Sequence, residues 1–184
     1  MQVILKDNDL TLRPSEERDA ETLAAWWNDG RIMAHAGWPQ GVNTTKEKVA
    51  ERISHRRSIG NNFIIELNGK PIGEMGYHTE DVGAGTPIKS GEAGIGIKIC
   101  DFSLLELGLG TRALRLLIDY LFNTLKFKKI HVDANFENPR AQHVYEKLGF
   151  KKIRILETER WTDQMPVPAR FIIYEMLPTD FVAE

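Results

Sequence analysis

Three groups of residues in this chain have the types and spacing to do chemistry. The first is Gly108-Leu-Gly110-Thr111, which stands just before a long run of apolar residues at helical spacing. Two glycines let a backbone approach a ligand closely, and the first amides of a helix have no partner inside it. Added to the helix dipole, those amides suit a pyrophosphate. A short Gly-x-Gly also occurs where a flexible loop leads into a helix, so this motif alone leaves both readings open. The second group is Asn138-Pro-Arg-Ala141-Gln-His-Val-Tyr145-Glu-Lys-Leu-Gly149-Phe150. Asn138 and Pro139 form a helix start and Gly149 a helix stop. Tyr145 follows Asn138 by about two helical turns, so both project from one side. An ordinary capped helix with a packed tyrosine would have the same letters. The third is Asp133, which alternates away from the apolar face formed by Ile130, Val132 and Ala134. Partial burial there would raise its pKa toward a useful range for a base. A hydrogen-bonded structural carboxylate is the alternative. Glu74 and Glu92 are further candidates for the base, but each reads more simply as a solvated strand carboxylate.

These groups need elements to hold them. Leu109 to Leu125 has helical periodicity through Ala113, Leu116, Leu117, Tyr120 and Leu121. Lys129 to Asn135 alternates as a strand, and strands near Lys152–Thr158 and Phe171–Leu177 follow the Asn138–Leu148 helix. This alternation of strand and helix implies a partly parallel sheet with covered faces. Upstream, Leu10-Thr-Leu-Arg13 is a first strand, and Arg18–Asn28 a helix with Ala20, Leu23, Ala24 and Trp27 on one face. Arg31–Asn43 reads as a loop. Thr44 followed by Glu47 resembles a capping box for a helix to about Ser58. Phe63–Leu67, Asn68-Gly69 and Pro71–Tyr77 predict a hairpin. His78–Ser90 is polar and glycine-rich, and Ala93–Ile99 puts Ile95, Ile97 and Ile99 on one strand face.

In this order, the two motifs resemble the signature of the GNAT superfamily of N-acetyltransferases. That signature is Gln/Arg-x-x-Gly-x-Gly/Ala opening a long helix, then a strand, then Asn-x-x-Ala-x-x-x-Tyr-x-x-x-Gly-Phe. Gly108 and Gly110, then Asn138, Ala141, Tyr145, Gly149 and Phe150, stand at that spacing. Leu10-Thr-Leu-Arg-Pro14 and Leu23-Ala-Ala-Trp-Trp-Asn-Asp29 look like the start of the branch containing ribosomal-protein N-terminal acetyltransferases. The resemblance implies an α/β (α+β) fold over residues 1–184 as a single domain. Its sheet would be mixed and mostly antiparallel, with about six or seven strands, about four helices and a splayed central parallel pair.

It also implies acetyl-CoA as co-substrate, with no metal. The backbone of Ile97, Lys98 and Ile99 would bond the pantetheine arm, one amide facing the thioester oxygen. Leu105, Glu106, Leu107, Gly108, Leu109, Gly110 and Thr111 would wrap the pyrophosphate. Asn138 would contact the pantetheine near its sulfur, Tyr145 would protonate the departing thiolate, and Asp133 falls where the ribosomal branch carries a catalytic carboxylate. The chain departs from the pattern at Leu105, where the family has Gln or Arg, and at Glu106-Leu107, where it usually has Gly-Lys. The acceptor would be a primary amine on a protein N-terminus or a small molecule. An aminoglycoside or polyamine acetyltransferase is the rival enzyme, against which Gly96 stands about where the aminoglycoside family would carry an aspartate. A non-catalytic acetyl-CoA-binding module is the rival of another class; Leu105 and Glu106 favour it and Tyr145 opposes it.

Composition sets the remaining bounds. The chain has 184 residues, 42% hydrophobic and 27% charged, with a net charge of -2, an ordinary globular mixture. No basic block or face points to nucleic acid. No apolar run approaches the ~20 residues of a membrane span, and the N-terminus lacks the pattern of a secretory signal. Cys100 is the only cysteine, so it forms no internal disulfide, which suits a cytoplasmic protein; no His-Asp arrangement points to it as a nucleophile, which favours a small packing residue. His35 and His131 lack metal-ligand partners at recognisable spacing. Trp26, Trp27 and Trp38 lie where an acceptor would enter, so they are candidates to line its pocket as well as for the core. Lys126, Lys128 and Lys129 read as a solvated helix end or a contact for coenzyme phosphates. A homodimer is left open.

Overall fold

Period-two alternation over most of the apolar runs builds strands, and these strands meet in one sheet. The computed structural model describes residues 3–80, 87–159, 162–164 and 168–181. Among them are β1 (Leu5–Asp7), β2 (Leu10–Pro14), β3 (Gly60–Leu67), β4 (Lys70–His78), β5 (Glu92–Ile99), β6 (Lys129–Asn135), β7 (Lys151–Thr158) and β8 (Ala169–Met176). Their order is β1-β2-β3-β4-β5-β6-β8-β7, and every neighbouring pair is antiparallel except β5 with β6. The sheet thus has eight strands where about six or seven were expected. The extra one is β1, a short segment turning through Asn8 at φ 52° to pair with β2. It is too short to show an alternation of its own. Asn68 and Gly69 have φ of 51° and 78° and make the predicted hairpin turn between β3 and β4.

Helices cover both faces. On one face lie α4 (Leu109–Asp119), which continues through a wider turn at Tyr120–Thr124, and α5 (Pro139–Leu148). Leu114, Leu117, Ile118 and Leu121 of this run pack with Ile130, Val132 and Tyr174 into the main core. Truncating a residue such as Leu117 to alanine would cost about 2–5 kcal/mol. On the other face lie α1 (Ala20–Asn28), α2 (Gly30–Met33) and α3 (Lys46–Ile59). Leu23, Trp27, Val49 and Ile53 pack there against Ile64 of β3.

Local chemistry moves several boundaries. The Arg31–Asn43 stretch is not loop throughout: Asp29 caps α2 by accepting from Arg31 N at 2.9 Å. Thr44 is not the cap of α3. Its backbone exchanges hydrogen bonds of 2.8 and 2.9 Å with the Asn28 side chain, and Thr45 accepts from Lys48 N instead, at 3.4 Å. α1 starts at Ala20, after a single turn at Glu17–Asp19. Arg13 fixes that entry with both terminal nitrogens on Asp19 at 2.7 Å and Nε on Glu66 at 2.7 Å. Removing Arg13 would leave Asp19 buried without its partner, a loss on the order of 3 kcal/mol.

The parallel pair matters most. β5 and β6 pair only through Glu92 with Lys129, Ala93 with Ile130 and Gly94 with His131. Beyond Gly94, β5 stays on β4 as far as Ile99, while β6 stays on β8 as far as Asn135. The two strands therefore part and leave facing edges. Where they still touch, His131 Nε2 lies 2.7 Å from Glu92, and Lys129 Nζ lies 3.1 Å from Glu175 of β8. These bonds hold three strands together at the closed end of the splay.

Candidate active site

The splay opens into a cleft of about 610 Å³, within the range of small-molecule sites. One wall is β5, with Ile97 and Ile99 turned toward α4. The other is β6 with Asp133 and Asn135, backed by α5. The Leu105–Thr111 turn closes one end, and Arg31 and His35 from α2 and the turn after it cover the other side.

The sequence builds the turn simply. Gly108 has φ 77°, a left-handed conformation that glycine adopts freely, and an added Cβ there would meet nothing within 4 Å. α4 begins at the next residue, so the opening amides of Leu109, Gly110 and Thr111 have no partner within the helix. Gly110 faces the cleft wall: a Cβ would stand 3.7 Å from Ile99 Cγ1 and 4.0 Å from Ile97 Cδ1. Glu106 has φ 64°, left-handed without being glycine. That explains why a glycine suits this position, and the glutamate's conformation costs roughly 1–2 kcal/mol. Open amides, a dipole and an apolar wall fit a coenzyme with a pyrophosphate and a pantetheine arm; Glu106 is the group that fits it least.

α5 carries the other half. Asn138 Oδ1 accepts from Ala141 N at 3.2 Å, Pro139 opens the helix, and Gly149 ends it at φ 101°. A Cβ at Gly149 would lie 2.5 Å from the Asp180 carbonyl, so this stop requires glycine twice over. The Tyr145 ring is 5% exposed and packs edge-on against Phe150 and Tyr174, with centroids at 5.8 and 5.9 Å. Among the described residues its hydroxyl has no hydrogen-bond partner, whereas Tyr174 donates to Glu146 at 2.9 Å. Burial, then the nearby Asp133 charge, push the Tyr145 phenol well above the ordinary tyrosine range. The phenol is a proton donor across the physiological range. Asp133 touches the cleft yet is crowded by protein, and lost hydration lifts its carboxyl to about 6, against a weaker lowering by its backbone. A carboxylate tuned to that value can accept a proton near neutral pH.

The sequence-predicted residues are largely brought together. Ile97, Lys98, Ile99, Leu105, Glu106, Gly108, Leu109, Gly110, Thr111, Asp133, Asn138 and Tyr145 all line this cleft. Leu107 does not; it is 63% exposed on the outside of the turn. Glu74 and Glu92 are outside the cleft lining and serve as ion-pair partners rather than solvated groups. Glu74 accepts from Trp27 Nε1 at 2.6 Å and holds Lys98 Nζ at 3.0 Å. Trp27 is core, and Trp26 and Trp38 pack against the same cluster, so none of the three lines the cleft. Cys100 is buried outside it, its thiol pushed up to about 12 by burial and then by Glu74. Lys126, Lys128 and Lys129 are likewise not among the residues lining the cleft. His35 lies in it, its pKa lowered by burial and by Arg140. Part of the His78–Ser90 segment, residues 81–86, lies outside the described residues.

Sequence reasoning missed Arg31, Phe102 and Arg140. Arg31 stacks 5.0 Å over the Phe102 ring, joining α2 to the segment after β5. No short motif announces such a contact between distant loops. Among the described residues no group of histidine, cysteine and carboxylate side chains could hold a metal, and no helix is long and apolar enough to cross a membrane.

Comparison with known proteins agrees with this geometry. Residues 9–151 match the family model described as an acetyltransferase (GNAT) domain. An aminoglycoside N(6')-acetyltransferase type 1 of Klebsiella pneumoniae is 32% identical over 158 residues, covering 82% of this chain and 78% of the relative. A spermidine N(1)-acetyltransferase of Escherichia coli K12 is 46% identical over 43 residues, 23% of each chain. The crystal structure of aminoglycoside acetyltransferase AAC(6')-Ib with coenzyme A and kanamycin superposes at TM-score 0.74 and 26% identity, covering 93% of this chain and 96% of that one. A ribosomal-protein-S5-alanine acetyltransferase of Vibrio fischeri superposes at TM-score 0.77 with 18% identity, over 98% and 100%, a likeness of fold alone. The mixed sheet with its splayed pair, the motif order and the matched family model have one reading: the chain belongs to the GNAT acetyltransferases and is an acetyl-CoA-dependent N-acetyltransferase.

Proposed function

We propose that this enzyme moves the acetyl group directly from acetyl-CoA to a primary amine held in the β5–β6 cleft, with no acetylated enzyme in between. The observation that carries the reading is that Asp133 and Tyr145 face one cleft just where the strands part. The amides opening α4 bind the pyrophosphate. The free edge of β5 at Ile97–Ile99 bonds the pantetheine arm, and one of its amides stabilises the oxyanion formed during attack. Asn138, at the start of α5, contacts the arm near its sulfur.

An ammonium has no lone pair, so a proton must leave before attack. Asp133, with its carboxyl near 6, takes that proton directly or through water. The amine nitrogen then forms a bond to the acetyl carbon and the carbon–sulfur bond breaks. Tyr145 donates to the departing sulfur and is reprotonated from solvent. Its hydroxyl has no competing partner among the described residues, which supports this role. Cys100, buried and with a thiol near 12, is unsuited to carry the acetyl group.

The acceptor is a primary amine on a small molecule or a peptide N-terminus. An aminoglycoside acceptor is the second reading, favoured by the 32% identity to the Klebsiella pneumoniae enzyme. The test is release of coenzyme A from acetyl-CoA across N-terminal peptides, aminoglycosides, polyamines and amino acids. Binding of acetyl-CoA, seen as a rise in melting temperature and by calorimetry, with no turnover on any amine would sink the catalytic reading.

A further inference from the structure

The charges on the acceptor side of the cleft bear on what it accepts. The cleft is lined by Arg31, Lys98, Arg140 and Lys147, together with His35 and His143. Against these cations, Asp133 is the carboxylate on that side among the described residues; Glu106 belongs to the pyrophosphate turn. Gly96 contributes no side chain, although a Cβ there would meet nothing within 4 Å, so the strand has room for one and lacks it.

Two of the cations are engaged by carboxylates, Lys98 largely buried and Arg31 largely exposed. Lys98 Nζ is fixed at 3.0 Å by Glu74, a carboxylate with only 8% of its side chain exposed, which is itself held by the Trp27 indole. An ammonium has three N–H donors, so this pairing leaves two for the cleft. Arg31 gives Nε and Nη2 to Asp29 and stacks on Phe102, which leaves Nη1 unassigned. Lys98 stands 71% buried on the β5 face turned away from α4, beside the splay where the acetyl group would arrive. Glu74 and Asp29 balance much of the charge of Lys98 and Arg31, so an acceptor with several ammonium groups finds one open carboxylate in Asp133, beside spare N–H donors that suit an anion better than a cation.

We infer that the natural acceptor is an amine carrying an anionic group, in the manner of an amino acid, with its carboxylate taken by the spare donors of Lys98 and Arg31 and its single amino group directed at Asp133. This rests on the acetyl-transfer reading of the same cleft. The reaction balances without any further reactant. The amine nitrogen bonds to the acetyl carbon as the thioester carbon–sulfur bond breaks. The proton lost by nitrogen goes to Asp133 and on to solvent, and the sulfur leaves as the coenzyme A thiol. The product is an N-acetylated acid.

The experiment compares amino acids with their own carboxamides, together with kanamycin and spermidine, in acetyl-CoA turnover by the intact chain. A lost charge-assisted contact corresponds to about a tenfold or larger loss. kcat/KM for a preferred acid should therefore exceed that for its amide by about tenfold, and exceed both polycations. In Lys98→Gln the ratio of acid to amide should collapse toward one, and Lys98→Arg should restore part of it. Were Lys98 merely a partner for Glu74, its loss would slow acid and amide alike and leave their ratio unchanged; that result overturns the inference. Equal or better use of amides, kanamycin or spermidine overturns it while leaving the transfer reading intact. Absence of turnover with every amine overturns both.

Discussion

The Asp133 carboxylate lies close enough to the Tyr145 phenol for its charge to add to burial in holding the tyrosine protonated. One group is raised to about 6 and the other far above its ordinary value, from neighbouring positions on β6 and α5. Two titratable groups driven apart in this way can serve as base and acid at the same pH. Each role makes a separate prediction.

Asp133→Asn should reshape the pH dependence of turnover. With Asp133 as base, wild-type kcat/KM rises as the carboxyl ionises near 6 and the amine retains help above that. The asparagine variant should depend on amine that is already neutral, so its deficit is largest at low pH and shrinks as pH rises. The same variant should be more stable at pH 7. A half-buried carboxyl raised from 3.8 to about 6 binds more protons folded than unfolded between those values, so folding stability falls as pH rises through that window. Removing the charge should recover on the order of 1–3 kcal/mol. Melting curves of both proteins at pH 4 and pH 7 would decide this. A stability difference that does not grow with pH would contradict the raised pKa.

Glu106 offers a test of the pyrophosphate turn. Glu106→Gly relieves a left-handed conformation of roughly 1–2 kcal/mol and adds back roughly 0.5–1 kcal/mol of chain entropy. The melting temperature should stay level or rise slightly. Acetyl-CoA should bind more tightly, by about two- to tenfold at low salt, because a carboxylate beside the phosphates is gone. The gain should shrink as salt screens the charge. Glu106→Gln, which keeps the backbone conformation, should share the affinity gain without the stability change. Equal Kd values at low ionic strength for all three proteins would remove the phosphates from this turn.

Gly110→Glu should do the reverse. The added Cβ meets only ordinary contacts with Ile97 and Ile99, so the fold should survive. The longer side chain and its charge would occupy the space where the coenzyme passes between turn and strand. Acetyl-CoA affinity should fall at least tenfold with melting temperature kept within a few degrees. Retained affinity in a folded variant would mean that the coenzyme lies elsewhere.

Much of the site was legible because its pieces are local. The Asn138 cap, the Gly149 stop and the Gly108 turn each satisfy a backbone requirement within a few residues, and short-range rules find them. β6 begins and ends as its alternation predicts, at Lys129 and Asn135. What the sequence hid is long-range. Glu74 reads as one more strand carboxylate until β4 sets it beside Lys98 and α1 brings Trp27 to it. Arg31 looks like loop chemistry until it lands on Phe102. The cap of α3 moved to Thr45 because Asn28, from another helix, claims Thr44. Each correction comes from a partner that sequence spacing does not reveal.

Tyr145→Phe separates chemistry from packing most cleanly. The ring is buried against Phe150 and Tyr174, and phenylalanine keeps both edge-on contacts. The hydroxyl makes no hydrogen bond among the described residues, so its removal should leave no orphaned partner. Melting temperature and acetyl-CoA affinity should therefore stay nearly unchanged. A raised phenol pKa makes full proton release unfavourable until negative charge builds on the sulfur, so the hydroxyl acts chiefly in the transition state. Its loss should lower kcat by roughly the 10²–10⁴-fold typical of a positioned acid. Steady-state rates understate the effect if product release is slow, so single-turnover rates should be measured as well. The deficit should be largest with a native thioester and smaller with an acetyl donor whose leaving group needs no proton. A single-turnover rate within about a factor of two of wild type would reduce Tyr145 to a packing residue.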